Sequence, residues 1–221
     1  MDAEELERWF ENARLTLEAS YLSHPDSEPW RQSGMSGPAE RWIALRRPLV
    51  DCLDRSGSFL DIGCANGYLL ECLLGWAAGR GLTLDPYGMD ISSRLVELAQ
   101  QRLSQFPGHF FAGNSLDWVP PLRFDFVRTE LVYVPAGYER AYVEHLFRRV
   151  VKPDGRLILA SYMEGLDDPG RGCLPGSFAT NDILAHLAGL GFHPAGHQDG
   201  YDPVKNRRTR FAILTPQAEG R

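Results

Sequence analysis

Phe59-Leu60-Asp61-Ile62-Gly63-Cys64-Ala65-Asn66-Gly67-Tyr68-Leu69-Leu70 decides how this chain folds. An apolar run carrying one acid enters a turn of small residues and leaves it as a second apolar run. Ser58 to Ile62 reads as a short buried strand, and Tyr68 to Ala78 reads as a helix. Gly63 and Gly67 allow a sharp turn and a close approach of backbone to a ligand. The helix that follows presents free backbone N–H groups. In an open α/β sheet a nucleotide-like ligand sits against such an edge, at the carboxyl end of the first strand. A G-x-x-x-G turn alone is equally an ordinary strand-to-helix connection, so the sequence on either side has to decide.

Downstream, strand and helix patterns alternate. Tyr87 to Ile91 is a second strand, and a helix marked by Leu95, Leu98, Ala99 and Leu103 ends at Pro107. His109 to Ala112 and Phe124 to Arg128 read as the third and fourth strands, and Tyr138 to Val151 as a helix. Lys152-Pro153-Asp154-Gly155 has the composition of a turn, before a fifth strand from Arg156 to Tyr162. Asn181 to Leu190 is a helix stopped by Gly191. Phe192 to His197 and Arg210 to Thr215 are the last two strands, with no helix between them. The pattern predicts a doubly wound, mostly parallel seven-stranded sheet of Rossmann-like α/β type whose last strand is antiparallel. Upstream, Glu4 to Leu22 carries Leu6, Trp9, Phe10, Ala13, Leu17 and Tyr21 at helical spacing. His24 to Pro38 is a loop, and Ala39 to Leu53 is a helix interrupted by Pro48. Residues 1–55 are thus expected to form an N-terminal helical cap, and residues 56–217 the core.

Tyr87-Gly88-Met89-Asp90-Ile91-Ser92 places an acid at the end of the second strand, about twenty residues beyond the glycines, where ribose hydroxyls are held. A helix cap is the plainer role for Asp90. With these features in order, the chain resembles the class I S-adenosylmethionine (SAM)-dependent methyltransferases from Phe59 to Tyr162 and weakly to Thr215. Asp61-Ile62-Gly63-Cys64-Ala65-Asn66-Gly67 is similar to that family's first motif, with Ala65 in place of its middle glycine. The resemblance implies SAM as cofactor, with S-adenosylhomocysteine as product. It implies cofactor contacts at Asp61, Gly63, Cys64, Ala65, Gly67 and Tyr68, at Asp90 and Ile91, at Asn114, Ser115 and Leu116, and at Glu130. Asp90 matches the ribose-binding acid. Asn114 stands where Asp is commoner, and its side-chain oxygen can still accept from the adenine amino group. Leu116 or Trp118 is placed to pack on the purine. The nicotinamide fingerprint G-x-G-x-x-G/A fits less well, since Ala65 and Tyr68 fall on its second and third glycine positions.

Composition narrows the partners. The 221 residues carry a formal charge of −6, with an isoelectric point near 5.5, which disfavours nucleic acid. The basic cluster Lys205, Arg207, Arg208 and Arg210 reads as a solvated rim. There is no apolar stretch of about twenty residues for a membrane span. An acidic start lacks the features of a secretory signal, so a cytoplasmic protein is expected, as a monomer or homodimer. Cys52, Cys64, Cys72 and Cys173 lack metal-ligand spacing and read as reduced thiols. No metal is expected.

The expected activity is methyl transfer to a small-molecule acceptor through an N, O, S or C nucleophile. A positioned sulfonium leaves the protein mainly the work of orientation, with a base needed only for a protonated nucleophile. In the family the residues after the fourth strand lie near the methyl; here they include Glu130 and Tyr133. Glu130 is the candidate base and Tyr133 the candidate orienting group, against plainer roles as an ion-pair partner of a nearby arginine and a core aromatic. The N/D-P-P-Y/F motif of amino-methylating nucleic-acid and protein-glutamine members is replaced by Glu130-Leu131-Val132-Tyr133. His145 reads as structural. His24, Tyr21, Trp30 and Met35, and the Gly-rich connection Met163 to Thr180, are candidate pocket or lid elements. A SAM-binding regulatory subunit, a protein side-chain methyltransferase and an aminopropyl transferase are the alternatives.

Overall fold

The structure, a computed structural model, describes residues 1–34, 37–164 and 182–216. Met35, Cys173 and the connection from 165 to 181 lie outside the described residues, so the expectations placed on them are not carried further.

The chain begins with α1 (Ala3–Tyr21). Its first turn is closed reciprocally: the Asp2 carboxylate accepts from the Glu5 N–H at 2.8 Å, and the Glu5 carboxylate accepts from the Asp2 N–H at 2.9 Å, a capping box. Pro48 divides the next helical stretch as expected. α2 (Ala39–Arg46) gives way to a 3-10 helix over Arg47–Cys52 with the proline in its first turn, where a missing N–H costs nothing. Then follow β1 (Gly57–Ile62), α3 (Tyr68–Ala78), β2 (Leu84–Asp90), α4 (Ser93–Arg102), β3 (Phe110–Ala112), β4 (Phe124–Thr129), α5 (Glu139–Arg149), β5 (Val151–Glu164), α6 (Ile183–Gly189), β6 (Gly196–Asp202) and β7 (Arg207–Leu214).

The strands form one sheet in the order β3-β2-β1-β4-β5-β7-β6. β1 pairs in parallel with β2 and β4, as do β2 with β3 and β4 with β5. β7 runs antiparallel to both β5 and β6. This is the expected doubly wound, mostly parallel seven-stranded sheet with an antiparallel last strand. The order reverses between β1 and β4, which makes the carboxyl end of β1 a topological switch point. Alternate strand residues supply the two faces. Leu60, Val127, Leu157 and Leu159 point toward α5, α6 and Phe10 of α1. Phe59, Phe126, Ile158 and Phe211 point toward α3, α4 and Trp42 of α2.

Two sequence expectations are corrected. Lys152–Gly155 is not a free turn but lies within β5: Phe124 pairs with Val151 and Phe126 with Arg156, so this stretch bulges out of the ladder. The Lys152 ammonium reaches the Asp125 carboxylate at 2.7 Å and holds the bulge against β4. The sixth strand is Gly196–Asp202, not Phe192–His197. Phe192 instead closes α6, donating its N–H to the Leu187 carbonyl at 2.9 Å after Gly191 turns left-handed at φ 87°. An apolar residue just past a helix end contacts the helix it follows, which accounts for the apolar start of the expected strand. Among the described residues no helix is long and apolar enough to cross a membrane.

Candidate active site

β1 ends by driving its chain into the glycine turn, and β2 locks that turn in place. The N–H groups of Gly63 and Cys64 both donate to the Met89 carbonyl, at 2.7 and 3.1 Å. Gly63 and Gly67 have φ of 80° and 75°, values that cost an L side chain. Ala65, where the resembled motif has glycine, also lies left-handed at φ 47°. Its N–H donates to Asp90 Oδ2 at 2.9 Å, and the Ser92 N–H donates to Oδ1 at 2.9 Å. Burial pushes the Asp90 carboxyl above its ordinary range, and the N–H groups of Ser92, Ala65 and Ile91 oppose that rise. Three N–H groups against four carboxylate lone pairs leave room for a further donor.

Above this turn is a cavity whose empty space, counted together with its open mouth, is about 510 Å³. Ile62 and Gly63 form its floor with Asp90 at the end of β2 and Ile91 just after it; Asn114 and Ser115 follow from β3, and Tyr133 from beyond β4. α1 forms the roof through Phe10, Ala13, Leu17 and Tyr21. The roof is fastened by its last turn. Ser92 caps α4, and its hydroxyl donates to Glu18 Oε1 at 2.7 Å, while Arg14 donates to the same oxygen at 2.9 Å.

A second cluster flanks the cavity on the β4 side. Arg128 is 3% exposed, yet it is paired from both directions. One amino group donates to Asp61 Oδ1 at 3.1 Å. The other bonds Glu130 Oε1 and donates to the Tyr162 hydroxyl at 3.1 Å. The Tyr133 hydroxyl donates to Glu130 Oε1 at 2.7 Å, and its ring lies directly over Gly63, where any Cβ would meet it at 2.4 Å. Burial pushes the Asp61 carboxyl up to about 6, with Arg128 pulling it down.

The structure therefore gathers Gly63, Asp90, Ile91, Asn114, Ser115 and Tyr133 at one cavity, together with Tyr21. Glu130 stands behind Tyr133 and, as its plainer role required, pairs with an arginine; Oε2 has no hydrogen bond among the described residues. Asp61 faces Arg128, and the Cys64 thiol is buried against Gly88. Tyr68 packs on Trp42 at 4.7 Å and under Arg102, outside the cavity. Leu116 lines a separate surface groove with Tyr138 and His145, and Trp118 stacks near Phe111. Trp30 bonds the Gly37 carbonyl away from the cavity. The His145 ring meets the Trp118 carbonyl at 2.9 Å. Arg208 and Arg210 engage Asp199 on the β6–β7 hairpin, as a rim would. Cys52, Cys64 and Cys72 are free thiols, and no group of three potential metal ligands occurs among the described residues. The roof residues Phe10, Ala13 and Leu17 and the buried Arg128 are contributions that the sequence reading did not assign to the site.

Residues 33–203 match a family model described as a methyltransferase domain. The chain belongs to that family. The methyltransferase also has many structural relatives, all at identities where only the fold is shared. It aligns with the Burkholderia thailandensis 1,6-didemethyltoxoflavin-N1-methyltransferase at TM-score 0.67 and 19% identity, over 98% of this chain and 92% of that one. The magnesium protoporphyrin IX methyltransferase of Synechocystis aligns at TM-score 0.59 and 18% identity, over 94% and 97%. A SAM-dependent methyltransferase of Leishmania major aligns at TM-score 0.68 and 15% identity, over 93% and 82%. Among curated proteins none matches. The fold is that of the class I SAM-dependent methyltransferases.

Proposed function

We propose that this methyltransferase moves the methyl group of SAM to a small-molecule acceptor held between the cavity and the Arg128 cluster. The carrying observation is the cavity at the switch point. Its floor is the left-handed glycine turn, its wall is Asp90, and its roof is a helix. The cofactor fits these donors and acceptors. Asp90 keeps a lone pair for a ribose hydroxyl, Asn114 and Ser115 offer an edge for adenine, and Gly63 brings its backbone to the cavity for the methionyl portion. The Burkholderia relative was crystallised with S-adenosylhomocysteine and its small-molecule substrate, and the Synechocystis relative with SAM. When bound, SAM supplies a methyl already activated by its sulfonium, for in-line attack by the acceptor's lone pair.

The remaining work falls to the protein. α1 excludes water and polymeric acceptors by closing over the cleft, and residues 1–55 act as its cap. Tyr133 is the orienting group, fixed by Glu130 and Arg128 over Gly63. Glu130 takes the proton of a protonated nucleophile on Oε2, because Oε1 is occupied by Arg128 and Tyr133. The test is calorimetric titration with SAM, S-adenosylhomocysteine and, as control, NADH. Micromolar binding of both sulfur compounds is expected, with a loss of about 10–100-fold in Asp90→Ala. A panel of small acceptors then follows. Binding of NADH alone, or turnover only with peptides or RNA, overturns the reading.

A further inference from the structure

The proposed function leaves Asn66, inside the glycine turn, without a task. Asn66 stands between two left-handed residues, Ala65 and Gly67, and is wholly buried. Its amide is nevertheless fully matched. Oδ1 accepts the N–H of Tyr68, the first residue of α3, at 3.2 Å. Nδ2 donates its two hydrogens to the Pro29 carbonyl and to Gln32 Oε1, both at 3.0 Å. The Asn66 carbonyl accepts from Arg102 Nε of α4 at 3.0 Å.

Pro29 and Gln32 lie 37 and 34 residues upstream, in the connection from α1 to α2. Gln32 is 2% exposed. Its Nε2 donates to the His24 carbonyl at 2.9 Å and to Asp26 Oδ1 at 3.0 Å, so both of its hydrogens stay within its own loop. Two facing amides with every hydrogen engaged hold one orientation each, because turning either would set oxygen against oxygen or N–H against N–H. The pair fixes residue 66 from the cap, as Arg102 fixes it from α4. A left-handed backbone at a residue such as Ala65 persists only where its surroundings over-determine it. The cavity lining includes neither amide, so the pair acts on a ligand only through the turn.

We propose that Gln32 is a positioning residue for the cofactor, acting through Asn66. It holds Ala65 and Gly67 in their left-handed path, with the Ala65 N–H on Asp90 Oδ2, so that the ligand meets a turn already formed. Such coupling is reciprocal. A cofactor seated on the turn stiffens residues 24–33, the loop that follows Tyr21 of the roof. The inference rests on the methyltransferase reading above.

The experiment compares wild type, Gln32→Met, Asn66→Ala and the double variant. Each is titrated with S-adenosylhomocysteine by calorimetry, and amide hydrogen exchange over residues 24–33 is followed by mass spectrometry with and without that ligand. Gln32→Met should weaken binding about 3–10-fold. The double variant should bind no worse than the weaker single one, because the two residues act as one pair. S-adenosylhomocysteine should slow exchange over 24–33 in wild type and not in Gln32→Met. If Gln32→Met does not fold, Asp26→Ala removes only the exposed anchor of Gln32 and should weaken binding about 2–3-fold. A glutamine that merely packs the cap would lower the unfolding midpoint and leave binding and ligand-dependent exchange as in wild type; that result, or losses that multiply in the double variant, overturns the proposal. Failure of the wild type to bind S-adenosylhomocysteine would instead strike the methyltransferase reading.

Discussion

Replacing Arg128 with methionine separates charge from packing at the heart of this site. Methionine fills similar volume, but it strands Asp61, 1% exposed, and Glu130, 4% and 16% being the side-chain exposures of Arg128 and Glu130. Removing one partner of a buried ion pair costs about 3–5 kcal/mol, because the remaining charge stays desolvated. The cost should depend on pH. Burial already holds the Asp61 carboxyl at about 6 with Arg128 beside it, against 3.8 for the free group. An acid raised on folding stabilises least above its folded value, so its penalty grows as pH rises from about 4 and levels off above about 6. Without Arg128 the folded value climbs further and the penalty keeps growing. The deficit of Arg128→Met relative to wild type is therefore expected to widen between about pH 5 and 8 in urea unfolding. Asp61→Asn with Glu130→Gln in the same chain should recover at least half of it. A deficit below about 1 kcal/mol, or one flat across that pH range, would show that Arg128 is held by packing alone.

Two further outcomes follow from the turn and its roof. Glu18→Ala removes the oxygen that Ser92 and Arg14 share; S-adenosylhomocysteine should dissociate about tenfold faster in stopped flow, and an unchanged rate would show that α1 is not fastened there. Ala65→Gly trades relief of a left-handed φ, roughly 1–2 kcal/mol, against a buried methyl and a looser unfolded chain of similar sum. Its stability should stay within about 1 kcal/mol of wild type in urea unfolding, and a loss beyond about 2 kcal/mol would mean that the methyl contact governs the position.

The turn after β1 and the acid at the end of β2 were legible because each is set by neighbours in sequence. From Asp61 to Gly67 one strand, one turn and one helix start follow without a break, and Asp90 comes at the end of the next strand. Each needs only local backbone geometry, which glycine spacing and apolar runs record. The errors were also local in origin. Lys152–Gly155 has turn composition, but it became a bulge because β4 pairs on both sides of it. β6 carries no aliphatic residue and stands at the sheet edge, so its hydrophobic signal is weak and Phe192 drew the reading toward the helix end.

The burial of Arg46 and Arg128 was not legible, for a reason that applies to both. Both look in sequence like surface cations. Arg128 is buried because Asp61, Glu130, Tyr133 and Tyr162 reach it from β1, β5 and the segment after β4. Arg46 is buried because Trp42 of its own helix and Tyr162 of β5 cover it, while Ser33 takes one of its N–H groups. No periodicity records such meetings: Asp61 lies 67 residues from Arg128 and Tyr162 lies 34 from it. The same holds for α1: its stripe of Phe10, Ala13 and Leu17 announces an apolar face, but not that a ligand cleft lies beneath it. What is shared at 15–19% identity is the fold alone. The roof and the two arginines are side-chain encounters laid over that fold, and under the proposed function acceptor choice falls to them.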